Sequence, residues 1–156
     1  MKQDFFNSEI SGQLLLRLHK LTATAKPNWG ILTPAQMLKH LQLENDLALG
    51  NYKGKDYSNF LREWTFKQVI KGNMPLPTIF SKWRMVPAIP ELDVVKSGVQ
   101  VSSFDVEKEK VFNQFEELLQ TKNLGTLHPG IGKMNRAEWG FFYAWHTDYH
   151  LKQFGL

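Results

Sequence analysis

The stretch NRAEWGFFYAWHTDYHLKQFGL, Asn135 to Leu156, sets the architecture of this chain. As a helix it has a good N-cap in Asn135, a capping-box partner in Glu138 at N3, and Gly155 where a left-handed C-terminal glycine belongs. Four residues along a helix turn the side chain back to within about 40° after a rise of about 6 Å, so His146 and His150 share one face. Phe142, Tyr143 and Trp139 lead up to them along that face. The histidines therefore stand in an aromatic stripe, where burial is expected. A buried imidazole needs a hydrogen-bond or metal partner, so the pair demands an explanation that an exposed pair does not.

Working outward, the remaining helical patterns are amphipathic. Ser8 to Leu21 carries Ile10, Leu14, Leu18 and Leu21 on one stripe, widened by Leu15 and Leu16; His19, at its C-terminal end, is assigned no site. Thr33-Pro34-Ala35-Gln36 supplies an N-cap, a proline at N1 and a Gln at N3 for a second helix reaching about Leu49. Its core stripe reads Met37, His40, Leu41, Glu44, Leu47, Ala48, so His40 and Glu44 project together from an otherwise apolar face. A shorter, less regular helix is expected from Ser58 to Ile70, with Phe60, Leu61, Trp64, Val69 and Ile70. Residues 73–103 contain several prolines and no sustained period, with a short strand expected at Val99 to Val101. Ser102 or Ser103 then caps a helix from Phe104 to about Lys122, with Val111, Phe112, Phe115, Leu118 and Leu119 inward and its Glu and Lys residues outward. The glycine-rich link Gly125 to Gly132 lacks the spacing and the Lys-Ser/Thr ending of a phosphate loop.

The resulting expectation is an all-α fold, a helical bundle with an additional helix and a long irregular crossover, formed as a single domain over residues 1–156. Lacking cysteine, the chain has no disulfide, thiolate metal site or cysteine nucleophile, so any metal is held by His, carboxylate or water. The net charge of +4 is spread among interleaved acids, as in Glu107-Lys108-Glu109-Lys110, which argues against nucleic acid as a partner. Neither a signal-peptide pattern at Met1 to Phe6 nor a membrane-length apolar run is present, so no membrane partner and a cytoplasmic location are expected.

Bundle cores build metal sites from facing helices, so His40 can meet His146 and His150. Three neutral imidazoles with a position left open form a site suited to Zn, Ni or Fe, able to acidify a bound water or thiol. The spacing leaves a second reading open, in which these are core histidines satisfied by Glu44, a tyrosine hydroxyl or backbone. The zincin pattern is absent, because Thr147 follows His146 and Asp148 points away from the histidine face. Glu44 is the best-placed carboxylate, as a fourth ligand, as acceptor of a ligating histidine's second N–H, or as a catalytic proton acceptor; it can also be an inward acid paired with Lys or Arg. For His128, turn chemistry beside Pro129 ranks above ligation.

The pattern HPxxGK…EWG over His128 to Gly140, followed by HxxxHLxQFG over His146 to Gly155, resembles a branch of the DinB-like (YfiT-type) superfamily of metal-dependent helical bundles. Trp29-Gly30 with Thr33-Pro34-Ala35-Gln36-Met37-Leu38-Lys39-His40-Leu41 resembles a second signature of that branch. The resemblance implies an up-down four-helix bundle holding a divalent metal on positions that match His40, His146 and His150. It also implies chemistry on a low-molecular-weight thiol, since members include transferases and isomerases that use bacillithiol, mycothiol or glutathione. Residues 73–103 match no signature and are where a branch fixes its own substrate; Trp83 and Arg84 are candidates to cover the metal.

Two functions compete. One is a metal-dependent enzyme, a thiol transferase or hydrolase acting on a small molecule, with the ion activating thiol or water. The other is a non-catalytic bundle that serves as a binding or interaction module with structural histidines. An open, cavity-facing metal position favours the first and a closed site the second. A homodimer through Trp64, Trp83 or Trp145 is left open.

Overall fold

The structure, a computed structural model, describes residues 3–75 and 89–156. Among them are five α-helices: α1 (Ser8–His19), α2 (Pro34–Leu49), α3 (Phe60–Ile70), α4 (Phe104–Gln120) and α5 (Arg136–Gln153). The described residues also include a 3-10 turn at Pro90–Leu92 and a short antiparallel ladder of β1 (Leu127–His128) on β2 (Gly132–Lys133), with His128 opposite Gly132. The described chain is mostly helical, and none of its helices is long and apolar enough to cross a membrane.

The two helices that matter most start where their sequences say they should. Thr33 caps α2 and Asn135 caps α5, each closing a full capping box, with Gln36 and Glu138 reaching back to the cap N–H. Gly50, at φ 78°, ends α2 in the left-handed conformation. α5 is the central helix, packed on α1, α3 and α2, while α2 lies along α4. Its aromatic stripe is buried as expected: Trp139, Phe142, Tyr143, His146 and His150 are all inside. Phe5 joins them, its ring 5.1 Å from Phe115 and 5.7 Å from Tyr143. Each phenylalanine among them contributes about 1.5–3 kcal/mol through burial. Phe5 arrives by a hydrogen bond from its N–H to the Gly140 carbonyl, 3.0 Å long. A Cβ at position 140 would collide with the Asp4 carboxylate, so the close approach of the N-terminal segment to α5 needs glycine there.

Several expectations change. Leu16 faces solvent rather than widening the α1 stripe, and α1 ends at His19 although Leu21 remains buried. Phe60, Leu61 and Trp64 of α3 are exposed, because α3 meets α5 through its later turns: Lys67 and Lys71 pair with Glu138 at 3.3 and 3.0 Å, and Val69 and Ile70 are buried beside them. Val99 to Val101 forms no strand, and no strand among the described residues pairs with it; the ladder lies instead in the glycine-rich link before α5. Trp83 and Arg84 fall outside the described residues. Glu107, expected on the solvated face of α4, is fully buried. It accepts the Ser102 N–H and the Gln42 amide, and Gln42 also donates to the Glu107 carbonyl at 3.0 Å, which ties the start of α4 to α2. Ser103 is the N-cap, yet its hydroxyl makes no capping bond.

Burial pushes the Glu107 pKa up, but the Ser102 N–H, the Gln42 amide and the charges of Lys39 and Lys110 together outweigh it and hold the carboxyl below its ordinary value. A depressed carboxyl stabilises the fold above its unfolded pKa, about 4.3, and that contribution is lost as pH falls through the folded value. Urea denaturation at pH 7 should therefore find Glu107→Gln about 1–3 kcal/mol less stable than the wild type. That gap should narrow as the pH is lowered below the unfolded value and through the folded one. A gap that does not change with pH would show that the ionised carboxylate is not what holds α4 to α2.

Candidate metal centre

Three imidazoles meet between α2 and α5. The Nε2 atom of His146 lies 3.2 Å from Nε2 of His40 and 3.1 Å from Nε2 of His150. All three residues are buried, and each offers a nitrogen within 4.8 Å of the other two. His40 and His150 rings stand edge to face, 5.0 Å apart. Two helices accomplish this because the HxxxH spacing stacks two rings on α5 and the core stripe of α2 aims His40 at them.

Hydrogen bonds at the far side of the rings assign the protons. His40 Nδ1 donates to the Leu92 carbonyl at 2.9 Å, so its Nε2 carries a lone pair. Gln153 donates from Nε2 to the Trp29 carbonyl at 2.9 Å, which leaves its Oε1 to accept from His150 Nδ1, also at 2.9 Å. His150 Nε2 is then a lone-pair donor as well. The chain Trp29–Gln153–His150 explains the Trp29-Gly30 dipeptide: Gly30 has φ +77°, and a Cβ there would lie 2.6 Å from Gln153 Nε2. Such outer partners fix ring orientation and tautomer in metal sites.

The electrostatics favour neutral rings. Burial, then the neighbouring His150, His40 and His128, drives the His146 pKa well below the ordinary histidine value. Burial and His40 lower His150 to about 3 against the opposing bond to Gln153. At neutral pH the cluster therefore presents two fixed lone pairs to His146 Nε2, whose ring has no hydrogen-bond partner on Nδ1 among the described residues. A proton on His146 Nε2 can be given to only one of the two lone pairs, whereas a cation shared by the three Nε2 atoms meets all of their lone pairs. Nitrogen ligands about 2.0–2.1 Å from a tetrahedral ion are about 3.3–3.4 Å apart, and about 3.0 Å apart across an octahedral face. The observed 3.1 and 3.2 Å separations, and an all-imidazole donor set, fit a divalent transition metal.

Glu44 is buried nearby but is bound to neither His40 nor the α5 pair. Its Oε2 accepts from His128 Nε2 at 3.0 Å, while His128 Nδ1 accepts the N–H groups of Gly130 and Ile131 at 3.0 and 3.1 Å. His128 thus performs the expected turn chemistry and, in addition, fixes the Glu44 carboxylate. The acceptors of the ligand N–H groups are Leu92 and Gln153 instead of Glu44. Asp148 points outward, to Arg17 at 2.8 Å and Lys152 at 2.7 Å.

A cavity of about 340 Å³ opens beside the cluster, lined by all three histidines, Glu44 and His128. Part of the irregular 73–103 segment builds its wall: Ile89, Leu92, Asp93, Val94 and Lys96 line it. Sequence reasoning missed Leu92, a backbone acceptor in a stretch without period. It also missed Gln153, whose i+3 spacing from His150 was a readable signal, and Arg62, which also lines the cavity.

Replacing Gln153 by Leu removes the acceptor of His150 without touching a ligand. Zn affinity measured by competition with a chromophoric chelator should fall about 10–100-fold. An unchanged affinity would show that His150 needs no such partner. The chain matches no family model, no curated protein and no solved structure.

Proposed function

We propose that this protein is a metal-dependent enzyme of the DinB-like type, a four-helix bundle of α1, α2, α4 and α5, in which His40, His146 and His150 hold a divalent ion. The observation that carries the reading is the convergence of three buried imidazole nitrogens, two with assigned lone pairs, onto the wall of a small-molecule cavity. A divalent ion held there supplies Lewis-acid polarisation and lowers the pKa of a thiol or water that reaches it. The reaction class is thiol transfer or hydrolysis on a small substrate.

The chain's own residues supply the remainder. Glu44 is the proton acceptor: its Oε2 is held by the His128 N–H, and Oε1, which makes no hydrogen bond among the described residues, receives the proton from the incoming nucleophile. His128 acts as a positioning residue, its own orientation locked by two backbone N–H groups. Leu92, Ile131 and Phe142 on the cavity wall limit water near these groups. The cavity itself weighs against the non-catalytic reading, for which the histidines need no approach from solvent.

Two measurements test this. Protein purified without a histidine tag should carry close to one equivalent of Zn, Ni or Fe, lost in the His146→Ala/His150→Ala double variant. The Co(II)-substituted protein should gain a near-ultraviolet charge-transfer band on addition of 2-mercaptoethanol, as an accessible site allows and a closed one does not. Protein that takes up no metal, or a Co(II) spectrum indifferent to thiol in a protein that also hydrolyses no ester or amide tested, would reject the enzyme reading.

A further inference from the structure

We propose that the cavity takes a small organic oxyanion, a carboxylate or phosphate borne on an apolar body, and that Arg62 receives its charged end. This rests on the reading of the triad cavity as a substrate site, and it names the class of substrate. Arg62 projects from α3 into the cavity wall, where its Nη2 lies 3.7 Å from the position a Cβ at Gly130 would occupy. The absence of a side chain at Gly130 keeps open the space between the guanidinium and the His128 ring, which is 3.5 Å from that same position.

The guanidinium is permanently charged and has five donors in a planar fork matched to carboxylate and phosphate. It is half-buried, and among the described residues it makes no hydrogen bond and no ion pair; its contact is with the Phe66 ring, 5.9 Å from the centroid, which steadies the group without neutralising it. The acids nearby each hold another partner, Glu44 and Glu91 through one carboxylate oxygen apiece. Glu63 holds Lys67 at 2.8 Å and Glu44 holds His128 at 3.0 Å. Glu91 accepts from the Tyr57 hydroxyl at 2.6 Å, and Asp93 accepts the Val95 and Lys96 N–H groups, both at 3.1 Å. Residues 76–88 contain neither Asp nor Glu. Arg62 is therefore a partly desolvated cation to which no carboxylate among the described residues is bonded, a cost that an incoming oxyanion removes.

The rest of the wall describes the other end of the ligand. Leu32, Ile89, Leu92, Val94, Phe142 and Trp145 are apolar, and a volume of about 340 Å³ suits a small molecule. A ligand with its oxyanion on Arg62 lays its apolar body along these side chains, with Glu44 and the imidazoles lining the same space.

The test uses the full chain after dialysis against EDTA, so that no ion competes for the oxyanion and failure of metal binding does not affect the result. Calorimetry compares 3-phenylpropionate and 2-phenylethyl phosphate with uncharged 3-phenylpropanamide. At least one oxyanion should bind about tenfold or more tightly than the amide, and whichever does decides between carboxylate and phosphate. The preference should vanish in Arg62→Met, fall but persist in Arg62→Lys, which keeps the charge and loses the fork, and survive in Lys96→Met. A wild type that binds the amide as well as both oxyanions, or binds none, overturns the proposal. So does a preference that is unchanged in both Arg62 variants.

Discussion

Two imidazole lone pairs aimed at a third buried imidazole repel unless positive charge lies between them, and the structure is arranged around that requirement. His40 comes from α2 and its two partners from α5, so the His40 and His146 nitrogens stay 3.2 Å apart only while these helices hold their relative depth and rotation. The Tyr143 hydroxyl donates to the Glu44 carbonyl at 3.1 Å, a direct tie between the two helices one turn from the cluster. Trp139 ties the start of α5 to the preceding link through Nε1 and the Gly125 carbonyl, at 2.6 Å. That link in turn reaches α2 through the Gly125 N–H and the Ala48 carbonyl. The capping boxes fix where each helix begins, and therefore which turn faces the other.

Around this centre the irregular parts of the chain have definite tasks. The segment before α2 places the Trp29 carbonyl against Gln153, and the 3-10 turn places the Leu92 carbonyl against His40. Both are backbone oxygens, so the identity of the side chain is freed for other uses, and Leu92 uses its own to line the cavity. The His128 loop serves as a rigid bracket: its ladder with β2 and its two accepted N–H groups immobilise a ring whose remaining N–H holds Glu44. Buried polar groups are costly unless satisfied, and here the bonds that satisfy His40, His150 and His128 also orient them.

Much of this was legible in the sequence because it depends on periodicity. The α2 stripe of Met37, His40, Leu41, Glu44, Leu47 and Ala48 is buried residue for residue, and the HxxxH pair on an aromatic face identified the cluster. Features set by tertiary partners were not legible. Glu107 reads as one more solvated acid until Gln42 and the Ser102 N–H are seen to meet it. Phe60 and Leu61 read as part of an irregular helical stripe until α3 is seen to meet α5 through its later turns, where Lys67 and Lys71 pair with Glu138. A backbone acceptor such as Leu92 has no signature in residue type at all. Arg62 was invisible for a related reason, since an arginine is remarkable only once the acids around it are known to be engaged.

Whether His40, His146 and His150 form one cation site is decided by anomalous diffraction from a crystal of the tag-free protein, recorded above and below the absorption edge of its resident metal. A single strong anomalous peak should lie about 2.0–2.1 Å from the Nε2 atoms of all three histidines. A peak on Glu44 and His128 instead, or no peak at the imidazoles in crystals soaked with Zn, would contradict it.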